Sequence, residues 1–206
     1  MDERPVRVIV VTDGDAVARQ AVELAAAHLG LRTVSRSAGN PTRLSGAALS
    51  ALCQQAPYDP VVLMVDDRGR PGLGPGEEAL LELFCDPAIA ILGVVAVAAN
   101  TQGAGGITVD RSVAASGNVV PHPVNKRGTP RPRHQLLVGD TVEVLAELPV
   151  PVVVGIGDLG KGPDGLDKGA PLTRRALEEV LRYHNLKPPC GPGRCGPQGS
   201  GRVEPK

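Results

Sequence analysis

Short apolar runs rich in Val and Ile alternate along this chain with longer stretches in which apolar residues recur every three or four positions. Val6 to Val11 is apolar at five of six positions and reads as a strand. After Asp15, the apolar positions Val17, Ala18, Ala21, Val22, Leu24, Ala25 and Leu29 follow helical spacing, and Gly30 supplies a stop. Leu31 to Ser35 predicts a second strand, and Leu44, Leu49 and Leu52 a second helix. Pro60 precedes a third run, Val61 to Val65, which ends in Asp66-Asp67; a Gly/Pro loop and a helix from about Gly76 to Cys85 come next. Ile89 to Ala98 is the fourth strand, too short by about half for a membrane-spanning helix. Between residues 100 and 139 the regularity fails, with short alternating pieces at Ile107 to Val109 and Val119-Val120, which predicts a β-hairpin or irregular excursion. A helix over about Thr141 to Leu148, a strand over Pro151 to Ile156 and a closing helix over Thr173 to Tyr183 complete the pattern.

Strands that alternate with helices at this spacing call for parallel pairing, because each crossover needs a helix to return the chain. The expected fold class is therefore α/β, a Rossmann-like open and mostly parallel sheet with helices on both faces. One domain over residues 1–186 accommodates all of it. Ten of the twenty residues from Lys187 onward are Pro or Gly, so residues 187–206 are expected to be a disordered tail.

Composition narrows the function classes. Lys plus Arg number 22 and Asp plus Glu 22, so no net field steers the chain toward nucleic acid or an anionic bilayer. One Phe, two Tyr and no Trp leave little for base stacking or for an interfacial aromatic belt. Neither nucleic-acid binding nor a membrane span is expected. The charged opening, Met1 to Pro5, runs straight into a strand and lacks the apolar stretch of a secretory signal, so the protein is expected to stay in the compartment where it is made. Cys53 and Cys85 fall within helical patterns and read as small buried hydrophobes, while Cys190 and Cys195 form a lone pair short of the four ligands of a zinc site.

Candidate chemistry gathers where the strands end. Residues beyond the carboxyl ends of parallel strands share one edge of the sheet, where ligands of open α/β folds bind. Here those residues are Asp13 and Asp15 after the first strand, Asp66 and Asp67 after the third, and Asp158 after the last, with Lys161 close behind. Converging carboxylates repel and raise one another's pKa unless a cation compensates. Mg²⁺ or Ca²⁺ held by Asp13, Asp15 and Asp66 is one compensation, and Lys126, Lys161 or Arg174 reaching in is another. The competing role for each aspartate is structural: Asp15 suits an N-cap, and Asp13 and Asp66 suit turns. Asn40, in the loop Ser35 to Thr42, joins the candidate ligand residues, although the loop's glycines match no phosphate-binding fingerprint. His122 and His134 read as exposed loop histidines, and Ser112 lacks a nucleophile elbow; no catalytic residue is assigned. An Asp-x-Asp strand end also resembles the metal-binding toprim folds, which keeps a Mg²⁺-dependent phosphoryl-transfer or nucleic-acid enzyme as the alternative function.

Longer blocks carry a broader likeness. Thr12-Asp13-Gly14-Asp15-Ala16-Val17-Ala18, Ser37 to Thr42, Asp59-Pro60-Val61, Gly74-Pro75-Gly76-Glu77, Leu92 to Ala98, Gly139-Asp140-Thr141-Val142, Val152 to Lys161 and Pro171 to Ala176 run in order and together resemble the stage V sporulation protein AE family. The likeness spans about residues 6 to 183, leaving out the tail and weakening over residues 103 to 135. It implies a role in sporulation and spore germination beside the membrane and soluble proteins of the stage V sporulation A group, which move dipicolinic acid, as calcium dipicolinate, across the inner spore membrane. On that likeness the chain is expected in the forespore cytoplasm, peripheral to that membrane through protein partners, as an accessory or ligand-sensing component. The resemblance supplies no catalytic residues and no established cofactor.

Overall fold

A computed structural model describes residues 4–69, 72–100, 105–133, 135–139 and 141–187. His134, Asp140, Cys190 and Cys195, and the tail from residue 188, lie outside the described residues. In chain order the elements are β1 (Val6–Val11), α1 (Ala16–His28), β2 (Arg32–Thr33), α2 (Gly46–Gln54), β3 (Val61–Met64), α3 (Pro75–Cys85), β4 (Ile89–Val97), β5 (Gly106–Ile107), β6 (Arg111–Val113), β7 (Val119–Val120), β8 (Leu137–Val138), β9 (Val153–Ile156) and α4 (Pro171–Tyr183). Seven strands form one open sheet in the order β2-β3-β1-β4-β9-β6-β7. Every pairing from β2 to β6 is parallel, and β7 alone is antiparallel, folded back on β6 as a hairpin. The fold is the α/β open sheet that the alternation predicts.

The sheet's two faces build two cores. Ile9, Val11, Val62, Val95 and Val154 point toward α1 and α4, while Val8, Val10, Leu63, Val94 and Val153 point toward α2 and α3. Both faces of β1 and β3 are apolar because both are covered, which is why these strands read as continuous hydrophobic runs. Each fully buried Val or Leu stabilises the fold by about 1.5–3 kcal/mol relative to exposure.

Three details depart from expectation. Residues 141–148 do not make an α-helix: Glu143–Ala146 is a single 3₁₀ turn. Pro149 disfavours helical backbone at Leu148, which leaves space for one turn only, and the buried Glu77 carboxylate accepts from Val144 N (3.1 Å) at the start of that turn. Second, the irregular region does more than make a hairpin, since β6 joins the main sheet beside β9 and β5 pairs with β8 in a separate two-stranded ribbon. Third, Cys53 is buried, but Cys85 lies on the exposed side of α3. Apolar surroundings push the Cys53 thiol up to about 12, leaving it an inert core residue.

Candidate functional site

β1 and β9 deliver their chains to helices on one face of the sheet, whereas β3 leads to α3 on the other. Adjacent strands whose connections leave toward opposite faces open a crevice at their carboxyl ends. A small pocket of about 130 Å³ lies there, lined by Asp13, Asp15, Asn40, Asp66, Asp158 and Lys161, with Lys126 and the end of β4 completing it. Six of the seven residues expected as ligand contacts thus meet in one place. Asp67 is the exception.

The aspartates differ sharply in how far the fold has already used them. Asp15 caps α1, with Oδ1 accepting from Val17 N (2.8 Å) and Ala18 N (2.7 Å), and its Oδ2 lies 3.5 Å from Lys161 Nζ. Asp66 is buried; its Oδ2 accepts from Gly14 N (3.0 Å) and its Oδ1 from Arg68 N (2.7 Å). Asp67 is fully buried beneath α3, where Gly76 N (2.6 Å) and Glu77 N (3.2 Å) donate to its carboxylate, so it serves as a remote cap for a helix whose own N-cap, Gly74, has no side chain. Asp158 is paired with both lysines, Lys161 at 3.1 Å and Lys126 at 3.7 Å. Asp13 is the least satisfied: its Oδ1 receives one long bond, 3.3 Å, from Asp15 N. Burial, followed by the negative fields of Asp15, Asp66 and Asp158, raises its carboxyl from the ordinary 3.8 to about 7. Burial works against the Lys161 ammonium, but its bond to Asp158 and the charges of Asp158, Asp15 and Asp13 outweigh that and hold its pKa above the usual value.

The pocket therefore holds four carboxylates against two ammonium groups. Among the described residues no group of three or more His, Cys, Asp or Glu side chains is drawn together closely enough to hold a metal ion. Asp13, Asp15 and Asp66, the expected metal ligands, share the pocket, and all three spend oxygens on backbone donors, Asp13 on one long bond and the other two on two each.

Other candidates fall elsewhere. Arg174 does not reach the pocket; it pairs along α4 with Glu178 at 3.7 Å. The hydroxyls of the Ser35–Thr42 loop are structural, since Ser37 Oγ accepts from Met64 N (2.9 Å) and Thr42 Oγ1 from Asp66 N (2.8 Å). Ser112 Oγ is buried without a partner against Gly155, where no base approaches it. His122 is half-buried rather than exposed, its Nδ1 sealed from solvent and without a partner.

Lys126 reaches the pocket as one of the cations offered by the sequence, but sequence reasoning missed the turn that carries it and the arginines beside it. The turn Asn125 to Gly128 folds over Gly157, at the exit of β9, with Asp158 N donating to Lys126 O (2.8 Å). A Cβ at Gly157 would lie 2.7 Å from Gly128 N and 2.8 Å from Lys126 O, so only glycine allows this approach. Gly14 plays the same part between the first and second crossovers, where a Cβ would meet Gly39 O. The turn places Lys126 above the pocket and Arg127 and Arg131 beside it, along a neighbouring cleft of about 760 Å³. The available signal was Asn125 followed by Gly128, a turn signature, in a stretch carrying three cations.

No helix among the described residues is long and apolar enough to cross a membrane. Neither the curated proteins nor the solved structures contain a match to the chain. The family model described as stage V sporulation protein AE1 matches residues 7–183, which takes in the sheet except Val6, its four helices and the pocket at its edge, and the chain belongs to that family of sporulation-related proteins.

Proposed function

We propose that this protein is an accessory, ligand-sensing component of the apparatus that moves dipicolinic acid across the inner spore membrane, working in the forespore cytoplasm and at that membrane through the other stage V sporulation A proteins. Family membership supports the biological setting, and the pocket supports the chemistry. The observation that carries the reading is Asp13, a carboxylate held at the sheet edge with one weak donor, no salt-bridge partner among the described residues, and a pKa near 7. A group kept this unsatisfied is stabilised by whatever positive charge arrives, which is the signature of a binding position rather than of a cap.

The arrangement favours a cation that comes already chelated. A free Ca²⁺ needs about six to eight oxygen ligands. Here Asp15 and Asp66 are partly committed to backbone donors, and no cluster of three free acidic groups exists among the described residues. Calcium dipicolinate brings two carboxylate oxygens and a ring nitrogen, and waters can complete much of the remaining shell, so the protein need supply fewer oxygens than for the free ion. Lys126 and Lys161, at the same pocket, balance the anionic part.

Calorimetric titration tests this with the full chain against Ca²⁺, Mg²⁺, and calcium dipicolinate, for wild type and Asp13→Asn. The expected result is binding of the complex that exceeds binding of either free ion and is lost at least tenfold in the variant, about 1.4 kcal/mol. Equal binding by wild type and variant, or no heat from the complex, would sink the reading.

A further inference from the structure

The cleft beside the acidic pocket has the opposite character. Its walls are the Asn125–Arg131 segment and the loop from Asp158 to Asp164, and Ile156, Ala115 and Leu172 supply an apolar floor. Four cations line it, Lys126, Arg127, Arg131 and Lys161, against two carboxylates, Asp158 and Asp164. Neither carboxylate is available to the arginines. Asp158 is held by the two lysines. Asp164 is buried and accepts from Gly160 N (2.9 Å), Leu172 N (2.7 Å), Thr173 N (2.9 Å) and Thr173 Oγ1 (2.5 Å). Among the described residues Arg127 and Arg131 have no acidic partner; Arg131 Nη1 reaches the neutral Gln135 Oε1 at 3.5 Å.

Arg127 sits on a braced turn, and Arg131 follows it with its own N–H donating to Pro123 O (2.8 Å). Asn125 Oδ1 accepts from Arg127 N (2.9 Å) and Thr129 N (3.0 Å), Gly128 N donates to Asn125 O (2.7 Å), and Ala115 N donates to Gly128 O (2.9 Å). The turn is thereby tied to both β9 and the β6–β7 hairpin, so little ordering remains to be done when a ligand enters. Unpaired arginines on a rigid support, facing a cavity of ligand size, match the bidentate recognition of carboxylate or phosphate. The amino end of α4, which would otherwise be the obvious anion site here, is already occupied by Asp164.

We infer that this cleft binds a small anion bearing at least two acidic groups, gripped by Arg127 and Arg131 without any requirement for a metal. The inference goes beyond the reading of the acidic pocket: the cleft shares Lys126, Asp158 and Lys161 with it, but the grip is assigned to Arg127 and Arg131, and Asp13, Asp15 and Asp66 do not line it.

The test is calorimetric titration of the full chain, in buffer freed of divalent ions by a chelating resin, with two probes, calcium-free dipicolinate and inorganic pyrophosphate, at low and high salt. Arg127→Gln, Arg131→Gln and the double variant are compared with wild type and with Arg19→Gln, which removes a surface arginine of α1 paired with Glu23. Saturable binding of either probe that weakens at high salt, falls about tenfold in each single variant and persists in Arg19→Gln supports the site. Preference for one probe identifies the acidic group as carboxylate or phosphate. Absence of binding by both probes, or binding that survives the double variant, overturns it. Because the resin-treated buffer holds no divalent ion, failure of the calcium reading cannot produce either result. Both arginines are exposed, and coincident thermal melts of variants and wild type exclude unfolding as a cause.

Discussion

Five aspartates at the strand ends look alike in the sequence and have different fates in the fold. Asp15 could be assigned from its neighbours alone, because an N-cap needs only the first turn of its own helix. Asp67 could not, because the helix it caps begins eight residues later and reaches it only after the loop closes. Replacing it with Ala should lower stability by about 1–3 kcal/mol, since two buried N–H groups at α3 lose their acceptor, and urea denaturation would show this as a lower midpoint. Asp13 makes the opposite prediction. Its carboxyl holds a proton up to about pH 7 in the folded state but only to about pH 4 in the unfolded chain, so the stability linked to it is present below pH 4 and is lost as pH rises to 7. Asp13→Asn removes that penalty. In EDTA the variant should melt at the same temperature as wild type near pH 4 and higher above pH 7, by an amount on the order of 2–4 kcal/mol. A variant that is less stable at pH 8 would mean that Asp13 supports the fold instead of burdening it.

Helices and long strands were legible because their signals are local: apolar periodicity for α1, β-branched runs for β1, β3 and β4. What escaped were the pieces whose structure depends on distant partners. β6 and β7 are three and two residues long, and only pairing with β9 makes the first of them part of the sheet. The braced turn at residues 125–128 needed the glycine at position 157 before its cations could be placed. A β-bulge in β4 is another example. Ile91 pairs with Val8 and Gly93 with Ile9, leaving Leu92 between them, and its carbonyl bonds His184 Nε2 at 2.6 Å. The bulge in the centre of the sheet and the end of α4 therefore hold each other. His184→Ala should cost about 1 kcal/mol or more by leaving that carbonyl unpaired, and should speed amide exchange in β4 and in the last turn of α4 together. Faster exchange in α4 alone would show that the bulge does not depend on the histidine.

At the scale of the molecule, the sheet's order explains both why ligand chemistry collects at one edge and where the fold is complete. α4 covers one face together with α1, and its Ala176, Leu177, Val180 and Leu181 are fully buried in that core. Leu186 packs against the same cluster, with its N–H donating to Leu181 O (3.0 Å). Among the described residues every buried position of the two cores lies at or before Leu181, and Leu186 is the last residue packed against them. A chain ending at Lys187 keeps all of them, and because ten of the residues it loses are Pro or Gly, a composition that cannot build a packed core, it should melt within about 2 °C of the full-length protein. A chain ending at Val180 loses Leu181, the His184 bond to the bulge and Leu186 at once. Truncating the buried leucine alone is worth about 2–5 kcal/mol, a large part of a typical domain's stability, so this shorter form should be largely unfolded at 25 °C by circular dichroism. The pocket and the cleft are both supported by loops packed on this face, so the Lys187 form should also retain whatever anion and cation binding the full chain has. Loss of that binding with an unchanged melt would assign a ligand contact to residues 188–206.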